Sequence, residues 1–307
     1  MASPYMTKSL FDVSGLVVVI TGGASGLGRI MAQSLAANGV AAVYLLDIDS
    51  KGMETTKTTS SAPDVIHIVT CDVTSKESLA EAARRVEDEV GYCDVVFANA
   101  GVLKANTGIE VEEGVNGSSK KTAIMTLQER LWSPTVEEMV QTLTVNVAGV
   151  YFTAIAFLGL LDEGNKRRAT ATTTTMVPQK SQIIVTSSAA SFMREPAVGF
   201  SYSTSKAAAT HLYKSLSTAL APFKIRVNGL APGFFPTAMA AEVLACAVGD
   251  PRREGGLPTT FSPLERSGCE EELAGAALFL VSKAGAYISG NCVLLDGGLT
   301  GVSPSTY

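Results

Sequence analysis

The feature that most constrains the fold is an apolar run followed by a glycine-rich turn and a helical pattern. Residues 16–20 are all aliphatic, which is typical of a strand buried on both faces of a parallel sheet. Residues 29–38 have the apolar spacing of a helix. Between them, a glycine-rich turn lets the backbone approach a pyrophosphate, and the helix offers unpaired N–H groups. The predicted phosphate site contains Gly22, Ser25, Gly26, Leu27 and Gly28. A tight turn without a ligand is the alternative.

The alternation of strand and helix patterns continues along the chain. Residues 41–46, 65–69 and 94–98 read as further buried strands, and Ser75 begins a helical pattern. Such alternation predicts an α/β fold, a single doubly wound parallel sheet of about seven strands with helices on both faces. We expect one domain over residues 1–307. Ligands of such sheets bind beyond the carboxyl ends of the strands. The residues at these ends are Gly22, Asp47, Asp72 and Asn99.

Asp47 indicates which dinucleotide would bind. It ends the second predicted strand, nineteen residues after Gly28, close to the spacing expected of an acidic residue that binds the adenosine ribose. Its charge would repel a ribose phosphate, and neither Ile48 nor Asp49 supplies a cation to bind one. The sequence therefore favours NAD over NADP. A helix cap at the end of the strand is the alternative role for Asp47.

A candidate catalytic group lies in the predicted helix of residues 199–220. Tyr202 and Lys206 are four residues apart, so the phenol and the ammonium share one face of that helix. A neighbouring positive charge lowers the pKa of a phenol, which is about 10 when unperturbed. Tyr202 could then exchange a proton with an alcohol or ketone, with a serine hydroxyl bonding the same oxygen. Ser187 and Ser188 follow the preceding apolar run.

Composition excludes several other functions. The net charge of −5 and pI near 5.2 provide no basic surface for nucleic acid. The five cysteines are scattered and odd in number, as expected of reduced thiols in an intracellular protein. With only two histidines, neither near a second candidate ligand, we expect no metal site. The first fifteen residues lack an apolar run, so no secretory signal is expected and the predicted localisation is cytoplasmic.

An uncharged stretch at residues 143–161 is long enough to span a bilayer. It contains Asn146 and two glycines, and it continues a helix that begins with polar residues near Pro134. We therefore expect no membrane span, but a helix covered on one side by its own sheet and on the other by a second subunit. Together with the apolar region 273–295, it predicts a homodimer or homotetramer.

The ordered motifs resemble those of the short-chain dehydrogenase/reductase family, and the match extends over about residues 10–300. The motifs are the glycine turn from Thr21 to Gly28, Asp72-Val73, Asn99-Ala100-Gly101, Asn146, the serine pair, Tyr202 with Lys206, Pro232-Gly233 with Thr237, and a tail from Ser289 to Gly298. The resemblance implies a single-domain fold, nicotinamide chemistry and a catalytic tetrad.

The resemblance assigns a role to each member of the tetrad. Tyr202 donates or accepts the substrate proton, and Lys206 lowers its pKa and bonds the nicotinamide ribose. Ser188 orients the substrate oxygen. Asn146 holds a water that links Lys206 to solvent, or alternatively satisfies a helix kink. The expected cofactor contacts also include Val73, Ala100, Gly101, Pro232 and Gly233, with Asp72 at the adenine, Asn99 in the groove and Thr237 at the carboxamide.

Three departures from the family pattern stand out. Residues 102–132 are longer than the usual link, and Gly114, Asn116 and Gly117 indicate a loop. A second insertion, residues 162–180, is threonine-rich and is also expected to be a loop. Ser188 precedes Tyr202 by fourteen residues, one more than is usual, so Ser187 stays open as the substrate-facing hydroxyl.

The segment that the family uses as a substrate lid, about residues 234–262, is apolar here. An apolar lid suggests an apolar or aromatic alcohol or ketone, unless these side chains pack on the core. The predicted activity is NAD-dependent interconversion of a secondary alcohol and a ketone. The long insertions and the apolar lid suggest a specialised biosynthetic step of secondary metabolism. Two alternatives are an NADP-linked 3-oxoacyl or polyketide-type reductase and a non-catalytic NAD-sensing or scaffold protein.

Overall fold

Seven parallel strands form one sheet in the order β3-β2-β1-β4-β5-β6-β7, as the sequence predicts. The computed structural model describes residues 5–104, 123–168, 179–195 and 198–307. The strands are β1 (Val17–Thr21), β2 (Ala42–Asp47), β3 (Ile66–Thr70), β4 (Val95–Ala98), β5 (Gln182–Thr186), β6 (Arg226–Pro232) and β7 (Cys292–Leu295). The order reverses between β1 and β4, which places a crevice at the carboxyl ends of those two strands.

Helices cover both faces of the sheet. They are α1 (Thr7–Leu10), α2 (Gly26–Ala37), α3 (Ser50–Thr58), α4 (Lys76–Glu89), α5 (Ala123–Trp132), α6 (Val136–Leu143), α7 (Val150–Ala156), α8 (Leu158–Arg167), α9 (Phe200–Leu220), α10 (Ala241–Leu244), α11 (Glu270–Val281) and α12 (Leu299–Val302). One core joins the sheet to α4, α7, α8 and α9. The other joins it to α2, α3 and α11. This two-sided burial explains the unbroken apolar strands.

The long uncharged helix is interrupted, which differs from the continuous stretch that we expected. A π-turn, Thr144–Gly149, separates α6 from α7, and Phe157 separates α7 from α8. The π-turn packs closely on the neighbouring segment, since a Cβ on Gly149 would lie 2.9 Å from Cγ2 of Val73. By length and composition, the run Val136–Ala156 could cross a membrane, with a mean hydropathy of 1.4, but core helices of soluble proteins share these properties.

Both predicted insertions are partly helical. The first ends in α5, because Ala123–Trp132 contains good helix formers and neither glycine nor proline. The second begins inside α8, where Lys166 pairs with Asp162 and Glu163 one turn away. The expectation of loops throughout both insertions was therefore wrong. Gly114, Asn116, Gly117 and residues 169–178 lie outside the described residues.

A glycine in β6 controls how closely α9 approaches the sheet. A Cβ on Gly229 would overlap the ring of Tyr213, which is fully buried on α9. This contact matters for function because α9 also carries Tyr202 and Lys206.

We predict that Gly229→Ala lowers the free energy of unfolding by about 1–3 kcal/mol, the usual range for overpacking a core. Urea denaturation followed by circular dichroism measures the change. The matched control is Gly275→Ala in α11, where a Cβ would meet nothing within 4 Å. That change should stabilise the helix by about 0.5–1 kcal/mol. Equal effects of the two substitutions would contradict the role of Gly229.

Candidate active site

A cleft of about 340 Å³ opens at the carboxyl ends of the central strands and collects most of the predicted site residues. Those that line it are Gly22, Ser25, Gly26, Leu27, Asp47, Asn99, Ala100, Gly101, Ser187, Ser188, Tyr202, Lys206, Pro232, Gly233 and Thr237. Four predicted residues do not line it: Gly28, Asp72, Val73 and Asn146. The topology therefore unites residues from six segments of the chain, as expected when parallel strands end at one edge.

The glycine turn has no room for larger side chains. Gly22 has a φ of +70°, and a Cβ there would lie 2.9 Å from Cα of Ala100. A Cβ on Gly28 would overlap the carbonyl oxygen of Gly22, so Gly28 serves close packing of helix and turn and does not line the cleft. The Ser25 side chain makes no capping hydrogen bond to α2. The first-turn N–H groups of α2 therefore remain available to an anion.

Asn99 ties three strand ends together. Its side-chain amide donates to the carbonyl oxygen of Thr21 at 3.0 Å, and its Oδ1 accepts a hydrogen bond from Thr186 Oγ1 at 3.0 Å. Its backbone N–H donates to Thr21 Oγ1. Asn99 thus fixes β1, β4 and β5 relative to one another at the floor of the cleft. Its side chain is occupied by the protein itself, although the residue lines the groove.

The two acidic residues expected at the adenosine end differ in position. Asp47 lines the cleft, where its carboxylate accepts hydrogen bonds from the N–H groups of Ala24 and Asp49 at 3.1 and 3.0 Å. A carboxylate has about four acceptor sites, so Asp47 can still accept hydroxyl donors. Asp72 is exposed and bonds Thr74 through the backbone N–H and the hydroxyl. Val73 packs into the core against Gly149.

Tyr202, Ser188 and Lys206 meet at the opposite end of the cleft. The Tyr202 phenol and the Ser188 hydroxyl lie close enough to interact electrostatically. The Lys206 ammonium lies 5.7 Å from the centroid of the Tyr202 ring and donates to the carbonyl oxygen of Thr186 at 2.9 Å. Lys206 is only 3% exposed. Because an ammonium has three donors, two remain for other acceptors.

The electrostatics of this cluster differ from our expectation. Burial raises the pKa of the Tyr202 phenol, and the interaction with the Ser188 hydroxyl opposes that effect. Burial also lowers the pKa of Lys206 to about 8. We expected Lys206 to lower the pKa of Tyr202, but in the protein alone desolvation dominates both groups.

The two serines point to different places. The Ser187 hydroxyl is buried, donates to the carbonyl oxygen of Lys206 at 3.1 Å and lies 2.6 Å from the Thr210 hydroxyl. Both of these contacts fasten β5 to α9. The Ser188 hydroxyl accepts from the N–H of Ala190 at 3.2 Å and lies in the cleft beside Tyr202. Of the two hydroxyls, that of Ser188 is the one that interacts with the phenol.

Asn146 lies in the π-turn, fully buried behind the cleft. Its amide exchanges two hydrogen bonds with the backbone of Val102, at 2.8 and 2.9 Å, and donates a third to the Ser205 hydroxyl. A Cβ on Gly101 would lie 3.3 Å from both Asn146 Oδ1 and Lys206 Nζ. Asn146 and Lys206 therefore approach the same small space from opposite sides.

The apolar lid divides between cleft and core. Phe234, Phe235 and Met239 line the cleft. Phe235 and Leu257 are also buried, with 4% and 3% exposure, whereas Val248 is 81% exposed. The suggestion that the lid packs on its own core is thus correct for part of it, and three side chains still face the cleft.

Several lining residues carried no sequence motif. They are Leu103, Thr186, Ala189, Ala190, Met193, Glu195, Val198, Ala238, Ala240 and Leu299. Most belong to loops, where residue type does not reveal orientation. The Thr186 carbonyl could have been anticipated, since it follows from placing Lys206 beside the end of β5. Leu299 could not, because it comes from the last turn of the chain.

The cleft fits a dinucleotide. It has glycines too crowded for a Cβ, available N–H groups at the start of α2, a carboxylate at Asp47 and the Lys206 ammonium. These match the phosphate, ribose and nicotinamide ribose parts of such a molecule in order. Across the described ranges, no cluster of three His, Cys, Asp or Glu could hold a metal ion.

Comparisons with known proteins agree with this arrangement. A family model described as short chain dehydrogenase matches residues 16–246. The chain is 38% identical over 302 residues to the short-chain dehydrogenase/reductase PhomF of Diaporthe leptostromiformis, covering 98% of this chain and 97% of that protein. It is 36% identical to the short-chain dehydrogenase/reductase VdtF of Byssochlamys spectabilis, with 98% and 97% covered.

Among solved structures, the Pseudomonas aeruginosa RhlG/NADP active-site complex superimposes with a TM-score of 0.75. Its sequence is 26% identical, and the match covers 94% of this chain and 98% of that one. Because the family model matches most of the chain and relatives above 30% identity span nearly all of it, this protein belongs to the short-chain dehydrogenase/reductase family of oxidoreductases.

Proposed function

We propose that the protein is an NAD-dependent oxidoreductase that interconverts a secondary alcohol and a ketone on an apolar small molecule. The observation that carries the proposal is the Tyr202 phenol, beside the Ser188 hydroxyl, at the end of a cleft whose other end is the glycine turn and Asp47. Proton transfer and dinucleotide binding are thus supported by residues of one cleft.

The protein groups divide the proton chemistry among them. When bound, the nicotinamide accepts or supplies the hydride. Tyr202 gives a proton to the ketone oxygen in reduction and takes one from the alcohol in oxidation. The Ser188 hydroxyl bonds the same oxygen and orients it beside the phenol. Lys206 is held by the Thr186 carbonyl, and its two remaining N–H donors would be available to the nicotinamide ribose. Positive charge brought next to Tyr202 would lower its pKa against the effect of burial.

The preference for NAD rests on the adenosine end of the cleft. Asp47 faces the cleft with its carboxylate, Ile48 is 73% exposed, and Asp49 caps α3 through the N–H of Gly52. None of these three residues would bind a ribose phosphate, and two would repel it. The NADP-linked 3-oxoacyl or polyketide-type reductase remains the second candidate, because the similar RhlG structure is an NADP complex.

An apolar substrate is supported by the side chains at the Tyr202 end. Leu103, Met193, Val198, Phe234 and Met239 line the cleft, together with the Glu195 carboxylate. Hydrophobic lining with a few polar groups at the reacting centre suits a ligand with an apolar body and one oxygen. A polyol would leave most of its hydroxyls without partners in such surroundings. The non-catalytic alternative would not explain why Tyr202, Ser188 and Lys206 converge at one end of the cleft.

We also infer a homodimer or homotetramer. The helical run from α6 to α7 presents Val140, Leu143, Tyr151 and Ile155 to solvent, each at least 38% exposed. The opposite side of α7 packs on the sheet through Val150 and Ala154. A helix that is apolar on both sides is expected where a second subunit covers it.

The first prediction concerns the phenol. Tyr202→Phe should lower kcat for NAD reduction with 1-tetralol, 1-indanol or 2-octanol by about 1,000-fold, within the range of general acid–base effects. The dissociation constant for NAD, measured by isothermal titration calorimetry, should stay within about twofold because the ring and Lys206 remain. Tyr151→Phe, on an exposed tyrosine, is the matched control. A Tyr202→Phe enzyme with more than a few per cent of the activity would remove the phenol from its role.

The second prediction separates the two serines. Ser188→Ala should lower kcat/KM about 100-fold, as expected when a hydroxyl bonding the reacting oxygen is lost. Ser187→Ala should leave kcat/KM within about threefold but lower the free energy of unfolding by about 1 kcal/mol, because its bonds to α9 are lost. Steady-state kinetics and urea denaturation measure both. The reverse pattern would make Ser187 the substrate-facing hydroxyl.

The third prediction tests the cofactor. The native protein should bind NAD more tightly than NADP. The double substitution Asp47→Ser with Ile48→Arg should shift the ratio of the two dissociation constants towards NADP by at least about tenfold. The reason is that one repulsive charge is removed and a cation is added. Asp49→Asn is the control, because asparagine can keep the cap of α3. Tighter NADP than NAD in the native protein would favour the second candidate.

A further inference from the structure

The end of the chain returns to the substrate side of the cleft. After β7, the chain passes through α12 and then runs as residues 303–307, here called the strap, alongside Phe192–Arg194. The N–H of Arg194 donates to the carbonyl oxygen of Pro304 at 2.8 Å, and the N–H of Thr306 donates to that of Phe192 at 2.7 Å. Met193 and Ser305 form an antiparallel bridge between these two bonds.

The pairing holds two neighbouring residues beside the cleft. Phe192 is 7% exposed and meets the Tyr307 ring edge-on, with the centroids 4.9 Å apart. The next residue, Met193, lines the cleft. Phe192 has φ −107° and ψ −19°, and Met193 follows it directly in the bridge to Ser305, so the bonds that fix the backbone of Phe192 also fix Met193 in the wall of the cleft. Leu299, from α12, lines the same cleft.

The wall segment is connected directly to the catalytic serine. The carbonyl oxygen of Ser188 accepts bonds from the N–H and hydroxyl of Ser191, and the N–H of Phe192 donates to the carbonyl of Ala189. Three residues thus lie between Ser188 and Phe192, the first residue in contact with the strap, in one short 3₁₀ turn. Because the bonds of this turn lie within residues 188–192, they hold Ser188 without the strap, and the strap acts on the wall that follows.

The strap is braced at its own start. The Asp296 carboxylate accepts bonds from the N–H of Gly298 and from the N–H and hydroxyl of Thr300. The Ser305 hydroxyl then donates to the carbonyl oxygen of Thr300 at 2.9 Å. Residues 303–307 are therefore held both by their own α12 and by the segment Phe192–Arg194.

We propose that the strap determines substrate specificity by holding Met193 and Leu299 in the wall that faces the apolar body of the substrate. The proposal rests on the proposed function for its substrate class. Its physical content is separate: the position of one wall of the cleft depends on main-chain bonds from residues 304 and 306. The cofactor end, formed by the glycine turn and Asp47, receives no contact from the strap among the bonds described above.

The test removes the part of the strap that pairs with Phe192–Arg194. Deletion of residues 304–307 should raise KM for 1-tetralol about tenfold and reduce the discrimination between its two enantiomers by a similar factor. The value of kcat should stay within about threefold, and the dissociation constant for NAD within about twofold. Hydrogen exchange of the Arg194 amide should become at least about tenfold faster, because its bond to Pro304 is lost.

Point variants cover the case in which the deletion does not fold. Thr306→Pro removes the N–H that bonds Phe192, whereas Thr306→Val keeps it and loses only the hydroxyl bond at 3.2 Å. Thr306→Pro should raise KM, and Thr306→Val should raise it less. Tyr307→Ala should behave like Thr306→Pro, and Tyr287→Ala, on a fully exposed ring, should change nothing.

The outcomes distinguish the two proposals. If the native protein oxidises none of the alcohols, the proposed function has failed, and Arg194 exchange still tests the strap. An unchanged hydrogen exchange rate of the Arg194 amide after the deletion would overturn the proposal for the strap. So would a folded Thr306→Pro protein with the same KM and enantiomer discrimination as Thr306→Val. Parallel loss of NAD affinity in a folded strap variant would also overturn it, because the effect would then not be local to the substrate wall.

Discussion

The site depends on the burial of one ammonium group at the edge of the sheet. Lys206 is nearly inaccessible and has lost most of its hydration, which lowers its pKa to about 8. The bond to the Thr186 carbonyl compensates for part of that loss and fixes the ammonium at the end of β5. Because Lys206 and Tyr202 share one face of α9, fixing the ammonium also fixes the phenol. The close contact of α9 with Gly229 and Tyr213 supports this placement.

The same burial disfavours the charged forms of both Tyr202 and Lys206 in the protein alone. Desolvation raises the pKa of Tyr202 and lowers that of Lys206, so each group is held in surroundings that disfavour its charged form. Under the proposed function, a cofactor that brings acceptors to Lys206 and positive charge to Tyr202 would relieve both effects. Occupancy of the cleft would then lower the pKa of the phenol.

The sequence predicted those parts that depend on local pattern. Apolar runs located β1 to β5, the family motifs indicated the ends of β6 and β7, and strand order placed Asp47 and Asn99 at one edge. A helix kink at Asn146 was one of two expected roles, but the π-turn itself was not predicted, because it depends on how α6 and α7 pack in the folded protein. The helical ends of both insertions were not predicted, because the neighbouring glycines, asparagine and threonines are typical of loops. The choice between Ser187 and Ser188 needed side-chain directions, which spacing alone does not supply.

The two ends of the cleft are positioned by different physical means. The cofactor end is formed by strand ends that Asn99 ties together, so its geometry is set by the sheet itself. The substrate end is formed by the turn after Ser188, the lid and Leu299, which come from segments without a regular ladder. At the substrate end, individual backbone pairings hold the segments in place, as the sheet does at the cofactor end. The pairing of Met193 with Ser305 is one of them. Changes in these segments can therefore alter which substrate fits while leaving the dinucleotide groove and the proton-transfer group in place.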